Sequence, residues 1–278
     1  MATRSRNTRN RSPLATPVDI RVMNMTATAV FALAALVLAA ATMAWVTRAP
    51  LFTLRAIALD GDLARSNLPT VRAVALPRLS GNFFSVDLER GRAAFEAVPW
   101  VRQAVVRRVW PNRLAVTLEE HRAAALWQGP DDKDSGNERL VNSRGEVFEA
   151  NLGDVEDEDL ISLAGPEGSA AQMLALQRRL AETLAPLGAA IDHVKLSSRG
   201  SWHVELHSGA DLELGRGNED ELVARTARFV RTYAQATQRF TDAGGSPRAL
   251  LAADLRHPDG YALRLRGVST STAVAAPR

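Results

Sequence analysis

His203 and His207 stand four residues apart, the spacing at which two imidazoles on one helical face share a zinc ion. Here Trp202, Val204 and Leu206 alternate with polar neighbours, a pattern that reads as a strand. At ~3.3 Å per residue the two rings would lie about 13 Å apart, too far for one metal. Gly215-Arg216-Gly217 falls between a strand pattern and a helix pattern, like half of a dinucleotide fingerprint, but Asp220 takes the place of the third glycine. Glu219, Asp220 and Glu221 then put negative charge at the helix start, which suits the helix dipole and repels a pyrophosphate. The stretch 129–138 is rich in aspartate. A calcium loop starting at Asp132 would put Asn137 where glycine is required and Ser143 where the closing acid belongs. There is no cysteine, so no thiol nucleophile, and no Gly-x-Ser-x-Gly elbow or phosphate-binding Gly-Lys loop. The expectation is no enzyme, no metal, no cofactor and no small-molecule substrate. What remains is recognition of other proteins.

The charge pattern narrows this further. Residues 1–21 hold Arg4, Arg6, Arg9, Arg11 and Arg21 against Asp19, a net +4, while the chain as a whole nets +3. A nucleic-acid-binding domain needs a basic face on a folded unit, and the near-neutral body argues against one. Between Arg21 and Arg48 no residue is charged, and over residues 27–46 nearly every side chain is apolar. A hydrocarbon core ~30 Å thick needs about 20 such residues at ~1.5 Å each. Residues 22–47 therefore read as a membrane-spanning helix. The alternatives are a buried helix of a soluble fold and a cleaved signal peptide. The latter would have a shorter apolar region and a small-residue cleavage site, not evident before Arg48. The arginine-rich flank puts residues 1–21 in the cytoplasm as a disordered tail and the body across the membrane. Beyond residue 48 no second uncharged run approaches 18 residues.

The body divides in two. Residues 52–59 alternate like a strand closed by Asp60-Gly61-Asp62. Residues 66–76 read as a short helix, capped by Ser66 or Asn67 with Pro69 in its first turn. Asp87 opens a second helix whose Leu88, Ala94, Phe95 and Val98 share a face, ended by Pro99. Residues 100–110 and 114–121 are strands joined by Pro111-Asn112-Arg113. This is a β-α-α-β-β unit. In the second part, residues 139–142 and 146–149 form a hairpin, followed by an acidic loop at 151–159. A helix follows Ser169, with Met173, Leu176, Leu180 and Leu184 on one face. Strands are expected at 191–196, 201–207 and 210–214, a long helix at 219–241 stopped by Gly244-Gly245, and strands at 250–255 and 261–266. The last ten residues read as a disordered tail.

These features together resemble the FtsQ/DivIB family of bacterial cell-division proteins. The resemblance rests on residues 54–61, on Gly81-Asn82-Phe83-Phe84, on Val98-Pro99-Trp100-Val101, and above all on Val106-Arg107-Arg108-Val109-Trp110-Pro111-Asn112-Arg113-Leu114. In the second part Gly200-Ser201-Trp202, Leu212-Glu213-Leu214-Gly215-Arg216, Ala227-Arg228-Phe229-Val230 and Ala253-Asp254-Leu255-Arg256 follow in the family's order. The chain departs at His257, where relatives often carry tyrosine, and at Pro258. The resemblance implies an α+β architecture: a cytoplasmic tail (1–21), one transmembrane helix (22–47), a POTRA domain (51–121), a second domain with a multi-stranded, mostly antiparallel sheet (122–267) and a disordered end (268–278).

It also implies a function and its residues. A family member is a bitopic scaffold of the inner membrane at the septum. It links FtsB and FtsL and so helps control septal peptidoglycan synthesis; FtsK, FtsW and FtsI are further implied partners. In the family the last strands of the second domain take up a segment of FtsB as an added strand, helped by a nearby arginine. On this chain that points to Arg199, Arg256, His257, Gly260, Tyr261, Ala262 and Leu263. Arg199 is otherwise an ordinary turn cation and Tyr261 a packed aromatic. Pro258 cannot donate a ladder hydrogen bond, so the binding edge is expected to start after it. The second POTRA strand points to Gln103, Val106 and Arg108. Whether Val105 or Val106 faces inward is left open by the pattern; Trp100 and Trp110 read as packing residues. Two rival readings are a POTRA-bearing chaperone or transport component, which would need repeats or barrel strands absent from this sequence, and a cell-wall enzyme, which lacks a constellation.

Overall fold

The computed structural model describes residues 18–47, 49–61, 63–66, 68–129, 139–241, 245, 248–257 and 259–268. Residues 1–17 of the expected tail, residues 130–138 of the aspartate-rich stretch, the cap at Asn67, the helix stop at Gly244, Pro258 and the tail from 269 onward lie outside the described residues. Helix α1, Val18–Thr47, starts inside the expected tail, with Asp19 in its first turn where a carboxylate suits the dipole. Its stretch Val22–Thr47 has a mean hydropathy of 2.3, and none of its most apolar window is buried against the rest of the chain. Thr26, Thr28 and Thr42 return their hydroxyls to the carbonyls of Met23, Asn24 and Leu38, so these groups need no water. By length and composition α1 can cross a membrane.

The first folded unit comprises β1 (Ala56–Gly61), α2 (Leu68–Ala75), α3 (Leu88–Glu96), β2 (Val101–Val109) and β3 (Arg113–Glu120). Its sheet runs β1-β3-β2, with β1 parallel and β2 antiparallel to β3. Val71 and Ala75 of α2 and Ala94 and Phe95 of α3 pack on Val101, Ala104, Val116 and Leu118. The strand expected from residue 52 begins only at Ala56. Pro50 instead starts a 3-10 turn, Pro50–Phe52, and Thr53 makes only an isolated bridge to Asn82. The strand then runs on through Gly61, whose φ of +127° brings the backbone against Leu118, leaving no room for a Cβ. Asp87 caps α3 as expected, accepting from the amides of Glu89 and Arg90. Ser66 makes no such cap: Glu120 reaches across and accepts the amides of Ala64, Arg65 and Ser66.

The second unit holds β4 (Ala123–Gln128), β5 (Arg139–Asn142), β6 (Val147–Glu149), β7 (Ile161–Ala164), α4 (Ala170–Leu184), β8 (Ile191–Leu196), β9 (Trp202–Leu206), β10 (Asp211–Gly215), α5 (Glu219–Thr237), β11 (Leu250–Asp254) and β12 (Ala262–Leu265). They form one nine-stranded sheet in the order β12-β11-β10-β9-β8-β7-β4-β5-β6. Only β4–β7, β7–β8 and β10–β11 are parallel, so the sheet is mostly antiparallel. Met173, Leu176, Leu180 and Leu184 of α4 and Leu222 and Phe229 of α5 pack on Leu163, Val194, Val204, Leu212 and Leu214. Strand β7 was not expected. It is short and takes parallel neighbours on both sides, so its pairing leaves no local pattern. Helix α5 stops at Thr237, short of the expected 241. Past it Arg248 holds the chain: its amide bonds the Phe240 carbonyl and its Nε the Thr241 carbonyl.

Trp100 joins the two units. Its indole is buried with Leu140, Ala150 and Val155, and its Nε1 donates to Asp154 Oδ2 at 2.8 Å. The ring lies edge-on to Phe148, and the Arg65 guanidinium sits 4.6 Å over its centre. Arg65 also bonds Glu158 and the Asp154 carbonyl. Trp100 is held at φ +71°, a conformation that large side chains rarely adopt. Beside it Arg102 of β2 binds Glu146 through two nitrogens, at 2.8 and 3.0 Å. That hydrogen bond holds the Glu146 carboxyl down at about 2. His121 stacks on Phe148 with ring centres 4.0 Å apart, and burial lowers its pKa.

Candidate protein-interaction edges

Each sheet has an edge at the positions singled out from sequence. Among the described residues strand β12 pairs with β11 alone, through Asp254–Ala262, Ala253–Leu263 and Ala252–Arg264. Its outer side is the last edge of the large sheet, where alternate backbone N–H and C=O groups can take another strand. Ala262 and Arg264 are exposed, while Leu263 packs on the core of the second unit and Leu265 is buried.

The strand is fastened at both ends. At its start the Tyr261 hydroxyl lies 2.7 Å from the Thr232 hydroxyl of α5, and the Tyr261 ring meets Phe229 edge-on. At its end the Arg266 amide bonds the Ala249 carbonyl, and Arg248 Nη1 donates to the Arg266 carbonyl at 3.1 Å. Tyr261 is therefore a packed aromatic of the α5 face. Of the other expected residues, Arg256 folds back on Asp254, with Nε 2.9 Å from Oδ1. The Arg256 guanidinium holds the Asp254 carboxyl at about 2, and the same pairing raises the arginine. The His257 carbonyl accepts from Arg228 of α5, and Gly260 is half-buried beside it. Arg199 lies in the β8–β9 turn, at the same end of the sheet as Arg256. The strand order puts β10 and β11 between that hairpin and β12, so the structure does not bring Arg199 to the edge.

In the first unit β2 is the edge strand. Val106 packs on the core and Val105 is exposed, which resolves the inward direction. Gln103 is exposed on the Val105 face; Val106 and Arg108 belong to the other. The three expected residues thus do not form one surface. Arg108 is occupied structurally, donating to the carbonyls of Phe83 and Val86 at 2.8 and 2.7 Å. The outward amide of Ala104 is taken by Glu96. Of the two tryptophans expected to pack, Trp100 is buried, whereas Trp110 touches Phe52 and Phe83 and remains 64% exposed.

The remaining sequence features have structural roles. His203 faces Asp211 and Glu213 of β10, while His207 faces Asp192. Gly215, at φ +75°, lets Arg256 cross close to the backbone, and Asn218 with Glu221 makes a capping box on α5. Thr232, Arg248, Arg65 and Asp154 were not singled out from sequence, because each acts on a partner distant in the chain.

Two family descriptions match this chain: "POTRA domain, FtsQ-type" over residues 52–121 and "Cell division protein FtsQ/DivIB, C-terminal" over residues 125–256. The cell division protein FtsQ of Burkholderia pseudomallei is 47% identical over 251 residues, covering 90% of this chain and 94% of that protein. The chain belongs to the FtsQ/DivIB family. The FtsQ proteins of Thiomonas arsenitoxydans and Bordetella pertussis are each 36% identical, covering 92% and 89% of this chain and 91% and 92% of their own lengths. A role in cell division follows, within the divisome. The POTRA match takes in β1 to β3 of this FtsQ-family chain, and the FtsQ/DivIB match begins in β4 and ends at Arg256. Strand β12 lies just past that end.

Proposed function

We propose that the chain is a non-enzymatic, bitopic scaffold of the bacterial inner membrane at the division septum. Its N-terminus is cytoplasmic and its two folded units are periplasmic. It captures FtsB, and with it FtsL, by strand addition at β12, and so helps control septal peptidoglycan synthesis. The observation that carries this reading is an open sheet edge fastened at both ends, by Tyr261 on Thr232 and by Arg248 on Arg266. A partner strand meets an edge already ordered, so little conformational entropy opposes docking. Ala262 and Leu263 are the contact residues, with Arg264 added to them; Tyr261, Arg256, His257 and Gly260 set the edge in place. Gln103, on the outer face of β2, serves a separate POTRA contact for FtsK, FtsW or FtsI, while Val106 and Arg108 support the strand from its other face. A photo-crosslinking residue at 262 or 264 of the full chain, in dividing cells, is expected to trap FtsB. Traps from 147 or 149 on the opposite edge, with none from 262 or 264, would sink the β12 assignment.

A further inference from the structure

Directly after α1 the chain builds an aromatic cluster that the β12 reading does not use. Phe52 lies 4.9 Å from Phe84 and 5.6 Å from Trp110, and Phe83 lies 5.2 Å from Phe84 and 5.7 Å from Trp110. The cluster is not closed. Leu51 is 68%, Trp110 64% and Phe84 45% exposed, a contiguous apolar tip of the kind that marks a contact surface.

The tip is tied to the end of α1. Asn82 Nδ2 donates to the Thr47 carbonyl at 2.7 Å, the Phe83 amide bonds the Phe52 carbonyl, and the Arg55 amide bonds the Asn112 carbonyl. Charge follows the same line. Residues 49–55, 81–86 and 107–114, which build the tip, include Arg55, Arg107, Arg108 and Arg113 and no acid. All four are exposed, with Arg108 turned onto the carbonyls of Phe83 and Val86. The apolar run of α1 has 26 residues, about 39 Å of helix, against a hydrocarbon core of ~30 Å and a full bilayer of ~40–45 Å. Thr47 therefore ends in the headgroup layer, and Trp45, 74% exposed, marks the interface on the helix itself.

The geometry points to a lipid contact: Leu51, Phe84 and Trp110 lie in the headgroup layer at the C-terminal end of α1, with the arginines against lipid phosphates. Aromatic rings with a polar edge favour that layer, and anionic headgroups attract the basic rim. The inference rests on α1 crossing the membrane, so its test reports the two separately.

The full chain is placed in vesicles of phosphatidylethanolamine and phosphatidylglycerol containing lipid brominated near the headgroup end of its acyl chains. Of its five tryptophans, Trp100, Trp127 and Trp202 are buried in the fold, so Trp45 and Trp110 report on lipid. In Trp45→Phe protein, Trp110 emission is expected to shift to shorter wavelength and to be quenched by the brominated lipid. In Trp110→Phe protein, Trp45 reports the anchor. Quenching of Trp45 without quenching of Trp110 overturns the lipid contact and leaves the anchor standing. Absence of both removes the anchor and the contact together. A Trp110 signal that appears only at high protein-to-lipid ratio means that a second copy covers the tip, and overturns the lipid contact as well.

Discussion

The hydroxyls of Tyr261 and Thr232 lie 2.7 Å apart, so the outermost strand of the large sheet is bolted to helix α5. Tyr261 thereby holds the edge in place. Tyr261→Phe should lower stability by about 1 kcal/mol, the usual net worth of one hydrogen bond, and leave β12 in register. Tyr261→Ala also empties space beside Phe229 and should cost about 2–3 kcal/mol. Thermal unfolding of the full chain in detergent ranks the two. Equal losses would mean that the ring contributes nothing.

Trp100→Ala should be the most damaging single change, at about 3–5 kcal/mol for a buried indole. Its effect has a signature beyond magnitude. With the wedge between the sheets gone, urea unfolding should split from one transition into two, because the units lose their shared core. A single transition merely shifted to lower urea would place the coupling elsewhere.

Glu120 accepts three backbone amides, from Ala64, Arg65 and Ser66. Glu120→Ala strands all three and should cost about 2–3 kcal/mol, whereas Glu120→Gln keeps an acceptor and should recover part of it. Hydrogen exchange at residues 64–66 is the direct readout: the alanine variant should exchange fastest and the glutamine variant between it and the parent.

Acid should loosen the molecule through three named groups. Asp254 and Glu146 each have a folded pKa of about 2, below their ordinary 3.8 and 4.5. Their contributions are complete above about pH 4.5 and fade as pH falls towards 2. His121 is held neutral by burial, so its contribution begins to fade earlier, below its ordinary 6.5. Arg102→Ala removes the leading cause of the Glu146 shift. The variant should be less stable than the parent at neutral pH and should converge on it near pH 2. A gap that stays constant from pH 7 to 2 would show that Arg102 acts by packing alone.

Much of the architecture could be read from residue order because its signals are local. Helix α1 shows as absence of charge; α4 and α5 show as apolar residues at helical spacing; the hairpins show at their glycine turns. What escaped depends on partners far along the chain. Strand β7 has four residues and parallel neighbours on both sides, so nothing in its own sequence marks it. The sequence leaves Tyr261 as either a contact residue or a packed aromatic, because its partners on α5, Phe229 and Thr232, lie far back along the chain. The bulge between Val101 and Gln103 resets the alternation of β2, which is why Val105 and Val106 could not be told apart beforehand. That β12 forms an edge was legible from its place near the end of the chain; that both its ends are pinned was not.

Trp100, wedged between the sheets, has a mechanical consequence. It ties the POTRA unit to the nine-stranded sheet through a shared core, an arm that under the proposed function is rooted by α1 and carries β12. Such an arm acts as a gauge of height. Under the proposed function, a partner with its own membrane anchor reaches β12 only if its docking segment stands off the bilayer by a matching amount, because effective concentration collapses when a tether cannot span the gap. Selection among partners is then made by length as well as by side chains. Lengthening or shortening the partner between anchor and docking strand should weaken capture even with every contact residue unchanged.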